Sequence, residues 1–359
     1  MSVLRLLAAE IALATIAIGC APRHFLDYDL DGPAQQLAVL GTPAPDDERA
    51  RFREIFCTLF DAEPRSAEDD ITCDDLLHRL ADEPAPQPAP TPLPPLDTRL
   101  RFLIITSALG DCVQDIATPF DQGVERLQPL GYRIDTVLVG GLASSSYNAT
   151  MIAEAVEAVD LEPDDRLVLL GYSKGTTDIL YFLVGYPELA ERVHAVVSVS
   201  GVVNGSPMAD GFSGTFERWL AKPATLFCEG HDLGMVESLR RGTLLPWLAA
   251  NPLPAHVRTF SVSSFTDKPH IARLLRVPYD LLSQVDPRND GQLLSTDQIV
   301  PGSTLLGYAN ADHWAVAMAL EQRRGFWMGH PRRKHTFPRA LLFESLVRFV
   351  GESLAAEPD

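Results

Sequence analysis

Positive charge is scarce in this chain: 30 lysines and arginines stand against 48 acidic residues, a formal net charge of −18. Such a surface repels a polyanion, so nucleic acid is excluded as a partner. Cysteine is sparse too, five in 359 residues. A body of about 260 residues can bury its core without help from disulfides or metals. No internal repeat is visible. Glu229, His231 and Asp232 match no strong metal-ligand spacing, so neither a metal nor another cofactor is assigned. The apolar stretch at the N-terminus is too short to span a bilayer and carries Glu10 within it.

That stretch, residues 1–20, has the pattern of an export signal, with Arg5 ahead of an apolar run from Ile11 to Gly19. Ala17-Ile18-Gly19-Cys20 resembles a lipoprotein signal, in which Cys20 becomes the lipidated N-terminus. Ala17 stands where leucine is commonest, and plain secretion with cleavage near Ala21 is the alternative. The expectation is an exported protein, periplasmic or lipid-anchored to the outer membrane. In an oxidising compartment Cys57 and Cys73, close together in one segment, form the expected local pair. Cys112 and Cys228 are then left as a long-range pair; four buried thiols is the other reading.

Residues 21–83 are acidic, with two short amphipathic patterns at Arg49–Phe60 and Asp74–Leu80 that suggest a helix pair. The stretch 84–96 alternates proline with small residues, which favours extended polyproline II and marks a boundary. From 97 to 359 apolar runs alternate with helical patterns, the mark of a mostly parallel α/β sheet flanked by helices. Strands are expected at Arg101–Thr106, Ile134–Val139, Leu167–Leu170, Ala195–Val199, Thr225–Cys228, Val257–Val262 and Thr304–Tyr308. Helices are expected at Asp121–Leu130, Asn148–Val159, Thr176–Tyr186 and Arg339–Leu354. Residues 212–256 are rich in apolar and aromatic side chains, Phe212, Trp219 and Trp247 among them. They read as a cap over the site or as ordinary helix packing. A basic stretch, Arg323-Arg324 and Arg332-Arg333-Lys334, suits either anionic lipid head groups or a solvated loop.

The chain is organised around Gly171-Tyr172-Ser173-Lys174-Gly175, which follows the apolar run Leu167–Leu170 and precedes a helical pattern. Strand, G-x-S-x-G and helix together describe a nucleophile elbow that exposes the Ser173 hydroxyl on a sharp turn. The backbone N–H of Lys174 would then donate to an oxyanion, with a second donor from the loop after the first core strand, at Ala108 or Leu109. A serine nucleophile needs an acid and a histidine later in the chain. His313 follows an apolar strand and a polar turn, which sets it at the same sheet edge as Ser173. For the acid, Asp290 in the turn Asn289-Asp290-Gly291 and Asp297 opening Asp-Gln-Ile-Val-Pro are both open. Asp312, next to His313, reads as the cap of the helix that follows.

From Arg99 to Leu354 the chain resembles the lipase and esterase branch of the α/β-hydrolase superfamily. The resemblance rests on the elbow, on Gly201-Val-Val-Asn-Gly-Ser-Pro-Met-Ala-Asp210, on Asn289-Asp290-Gly291 and on Asp312-His313. The chain departs from that pattern at Thr106-Ser107, where His-Gly is common, and at Lys174, an unusual residue after the serine. The resemblance implies an α/β-hydrolase fold and hydrolysis of a small-molecule or lipid ester through an acyl-enzyme. It favours Asp290 over Asp297. An acyltransferase or polyester depolymerase on the same residues, or an idle envelope-binding lipoprotein, are the alternatives.

Overall fold

The described residues build a parallel sheet of seven strands. These are β1 (Asp46–Asp47), β2 (Leu100–Ile105), β3 (Arg133–Val137), β4 (Arg166–Tyr172), β5 (Val193–Val199), β6 (Arg258–Phe265) and β7 (Thr304–Asn310). A computed structural model describes residues 30–36, 43–64, 71–86, 91–106, 118–211, 232–320 and 336–356. The spatial order is β1-β7-β6-β5-β4-β2-β3, and every pairing is parallel. The reversal of order between β4 and β2 sets the carboxyl end of β4 beside a topological switch point, where open α/β sheets bind ligands.

Alternation along the strands feeds two cores. Phe102, Ile104, Val168, Leu170 and Val197 point to one face, where α1 (Arg49–Ala62), α2 (Asp121–Leu127) and the C-terminal helix pack. Leu103, Ile105, Leu167, Leu169 and Val196 point to the other face, against α3 (Ser145–Ala158) and α4 (Lys174–Gly185). With both faces covered, β2, β4 and β5 must be apolar at nearly every position, which is why they read as continuous runs. Further on come α5 (Arg241–Ala250), α6 (Arg276–Leu282) and α7 (Arg339–Ala355). Among the described residues no helix is long and apolar enough to cross a membrane.

The N-terminal segment is sewn into this body. Phe52, Ile55 and Phe56 of α1 share the core of the first face, and Phe52 meets Phe349 of α7 edge-on at 6.1 Å. β1 pairs with β7 as an outer strand; being two aspartates long, it carries no apolar signal. The second expected helix, Asp74–Leu80, is absent. Only Cys73–Asp75 winds into a 3-10 turn, after which Leu77 bridges antiparallel to Ala309 and the His78 N–H donates to the Tyr308 carbonyl. Pairing with the edge of β7 satisfies backbone groups that a helix would have paired within itself. Cys57 is joined to Cys73 by a disulfide. The described part of the proline-rich stretch lies across α1 and α7. Arg51 donates to the Pro92 carbonyl and Arg348 to that of Pro94, taking up acceptors that extended backbone leaves open.

Several expectations lie outside the described residues: the signal segment with Cys20, the strand Thr225–Cys228, Cys112, Cys228, Ala108, Leu109 and the basic stretch 323–334. So do residues 212–231 of the expected cap. Its remainder packs by Leu244 and Leu248, with Trp247 stacked on Tyr181 of α4 at 4.1 Å.

Candidate active site

The carboxyl end of β4 turns sharply into α4, and Ser173 at the bend has φ 54° and ψ −127°. A non-glycine residue held there costs about 1–3 kcal/mol, tolerated only where the surroundings over-determine it. The flanking glycines are part of that constraint. A Cβ on Gly171 would lie 2.6 Å from Thr176 Cα, and one on Gly175 would lie 2.5 Å from the Ile105 carbonyl oxygen. The bend therefore needs glycine on both sides to bring the serine hydroxyl up while the backbone stays pressed against β2.

His313 reaches this hydroxyl from the turn after β7, with 2.8 Å between its Nε2 and Ser173 Oγ. Its Nδ1 lies 2.7 Å from Asp290 Oδ2. An ionised carboxylate can only accept, so the ring proton sits on Nδ1, and Nε2 is left to accept from the Ser173 O–H. The histidine is held by more than its ring. Its backbone N–H donates to the Asp290 carbonyl at 2.9 Å. The Tyr172 hydroxyl donates to the His313 carbonyl at 2.6 Å, with the two rings 5.3 Å apart. Burial, with Asp290 and Asp312 nearby, pushes the Tyr172 phenol well above its ordinary range, so it stays a donor. Asp312 accepts from the N–H groups of Trp314 and Ala315 and from that of Ala272, capping a turn rather than a full helix.

The two candidate acids separate cleanly. Asp290 is fully buried. Its Oδ1 accepts from the N–H groups of Gln292 and Leu293, and its Oδ2 from Ser264 Oγ at 3.1 Å and Gln298 Nε2 at 3.2 Å besides His313. Asp297, also fully buried, faces away and takes a two-pronged contact from Arg241 of α5, Nη2 to Oδ1 at 2.7 Å and Nε to Oδ2 at 3.2 Å. Burial, only partly offset by Arg241, pushes its carboxyl up to about 6. Asp297 is thus the anchor of α5, and Asp290 the partner of the histidine ring.

Sequence reasoning missed Tyr172, Ser264 and Gln298. Gln298 accepts from the Ser264 N–H and donates to its carbonyl, as a further strand would, and spends its remaining N–H on Asp290. Lys174 begins α4, and its side chain turns back to Asp178 in a buried ion pair. Asp232 accepts from Ser144, its N–H at 2.7 Å and also its hydroxyl, at the start of α3.

Among solved structures, the chain is similar to the metagenomic carboxyl esterase MGS0156, at 35% identity and a TM-score of 0.77, over 89% of this chain and 97% of that one. It is also similar, at the level of fold, to the propeptide form of the Bacillus licheniformis lipase BlEst2. There the identity is 18% and the TM-score 0.50, over 62% of this chain and 48% of that chain. No protein-family model and no curated protein matches the chain.

Proposed function

We propose a mechanism from one premise: the chain belongs to the carboxyl esterases of the α/β-hydrolase class and is a carboxylic ester hydrolase. In the proposal Ser173 Oγ attacks the ester carbonyl carbon while its proton passes to His313 Nε2. Asp290 holds the imidazole in the required tautomer and offsets the charge it gains. The negative charge on the former carbonyl oxygen meets the Lys174 N–H and a second N–H from Ala108 or Leu109. The C–O bond to the alcohol then breaks, His313 returns the proton to the departing oxygen, and an acyl group remains on Ser173. Water attacks that acyl-enzyme by the same proton route, releasing the acid and restoring the serine.

The observation that carries the reading is the unbroken hydrogen-bond line from Asp290 through both nitrogens of His313 to Ser173. Labelling with a fluorophosphonate tests it. The wild-type protein should be labelled once, at Ser173, and Ser173→Ala should lose the label together with about 10⁴-fold or more of its turnover. Labelling that survives in Ser173→Ala removes the assignment.

For location, the proposal is export with a lipid anchor at Cys20. The Cys57–Cys73 disulfide supports an oxidising compartment. In cell fractionation Cys20→Ala should move the protein out of the membrane pellet, and an unchanged distribution rules the anchor out.

A further inference from the structure

The ion pair of Lys174 and Asp178 is buried beside the nucleophile and has no place in the proton route just described. Lys174 Nζ lies 2.7 and 2.8 Å from the two carboxylate oxygens, and the side chains are 1% and 0% exposed. Burying two charges gains little stability over an apolar pair of similar size, because the hydration they lose is large. What the charged pair offers here is a directional acceptor. Asp178 Oδ2 also accepts from Asn148 Nδ2 at 2.8 Å. That amide is clamped on Gly140, donating to its carbonyl and accepting from its N–H, each at 3.0 Å. Gly140 follows Val139, whose N–H donates to Thr106 Oγ1 at 3.1 Å, and the Thr106 N–H donates to the Val137 carbonyl at 3.2 Å.

The line of contacts thus starts at the residue after Ser173 and crosses α4 and α3. It returns through the end of β3 to Thr106 at the end of β2. The circuit closes on itself, since Gly175 presses on the carbonyls of Ile105 and Thr106 so tightly that a Cβ would lie 2.5 and 2.8 Å from them. We propose that the Lys174 side chain, Asp178 and Asn148 are positioning residues, which hold the Lys174 backbone N–H at a fixed place against the ends of β2 and β3. The inference rests on the reading of Ser173 as nucleophile and Lys174 N–H as oxyanion donor. A donor for a developing charge must be in place before the charge appears, and a shift of about 1 Å costs on the order of 100-fold in rate.

The test exchanges the pair for apolar side chains, Lys174→Met with Asp178→Leu, which keeps the backbone N–H. Turnover of a p-nitrophenyl ester, binding of a trifluoromethyl ketone that adds to Ser173, and thermal unfolding are measured together. The expected result is a folded protein with kcat lower by about 10- to 100-fold, KM within about twofold, and ketone affinity reduced in parallel with kcat. A folded variant with unchanged kcat and ketone affinity overturns the proposal. So does a loss that appears in KM or unfolding alone, which marks the pair as merely structural. Should the double exchange fail to fold, Asn148→Ala breaks the same line at its middle and is read by the same measurements, with the same parallel loss expected. Fluorophosphonate labelling of each variant keeps the two ideas apart. A labelled variant with intact kcat sinks the positioning role alone, and an unlabelled wild-type protein sinks the nucleophile first.

Discussion

Asp290 and Asp297 lie in the same loop, both fully buried, and they face different partners. Asp290 is surrounded by neutral donors: two backbone N–H groups, a serine hydroxyl, a glutamine amide and the His313 ring. Asp297 is held by a guanidinium, through Nε and Nη2 in the two-pronged geometry that arginine and carboxylate favour. Under the proposed mechanism, the contrast teaches what distinguishes an acid that works on a histidine from one that ties an element down. A carboxylate already paired with a full positive charge has little left to give an imidazolium. One held only by neutral dipoles keeps its charge for the ring.

The harshest test of that contrast is Asp290→Asn. The exchange keeps size and most neutral contacts but offers His313 an amide that can hold the wrong tautomer. Turnover should fall by about 10⁴-fold with KM little changed. A loss smaller than about tenfold would mean that the ring needs no carboxylate here.

Asp297→Asn should spare turnover, leaving kcat within about threefold, and act on stability through pH instead. Burial, outweighing Arg241, lifts the Asp297 carboxyl from 3.8 to about 6 in the folded protein. The folded state then holds that proton more tightly than the unfolded chain. The stabilising contribution is fully present below about pH 4 and is lost as pH rises through about 6, a difference of about 3 kcal/mol. Chemical denaturation of both proteins from pH 4 to 7 checks the sign, since the wild type should lose more stability across that window than Asp297→Asn. Parallel curves would show that Arg241 cancels the cost of burial.

Much of this arrangement was legible because its signals are local. The elbow is an apolar run, two glycines and a helical pattern in one short stretch, and the covered strands announce themselves by being apolar throughout. His313 follows a strand and a polar turn, a pattern that already marks the carboxyl edge. What was hidden depends on residues far apart in the chain. Whether Asp290 or Asp297 faces the ring turns on Arg241, which comes from the start of α5 and leaves no trace near either aspartate. The segment Asp74–Leu80 has apolar spacing fit for a helix, yet the open edge of β7 offers its backbone a better partner. Gln298, in the loop, and Ser264, in β6, are uncharged polar residues with no pattern of their own, and only the fold brings them to Asp290.

Ser264→Ala is the finest probe of the comparison, because it removes one neutral donor and leaves the others. The Ser264 hydroxyl lies between Ser200 Oγ, at 2.7 Å, and Asp290 Oδ2, at 3.1 Å. A hydroxyl has one proton, so if Ser264 gives its own to Asp290 it must accept from Ser200. The alanine therefore costs Asp290 one donor and leaves Ser200 without its acceptor, while the Gln298 amide and both backbone N–H groups stay in place. A hydrogen bond from a neutral donor to a charged group is worth about 1.5–3 kcal/mol, so kcat should drop by about 10- to 100-fold, still far less than in Asp290→Asn. If Ser264→Ala instead matches Asp290→Asn, the neutral donors do not share the carboxylate among themselves. The orientation of Asp290 would then hang on that one hydroxyl, and the contrast with Asp297 would lie in rigidity rather than in charge.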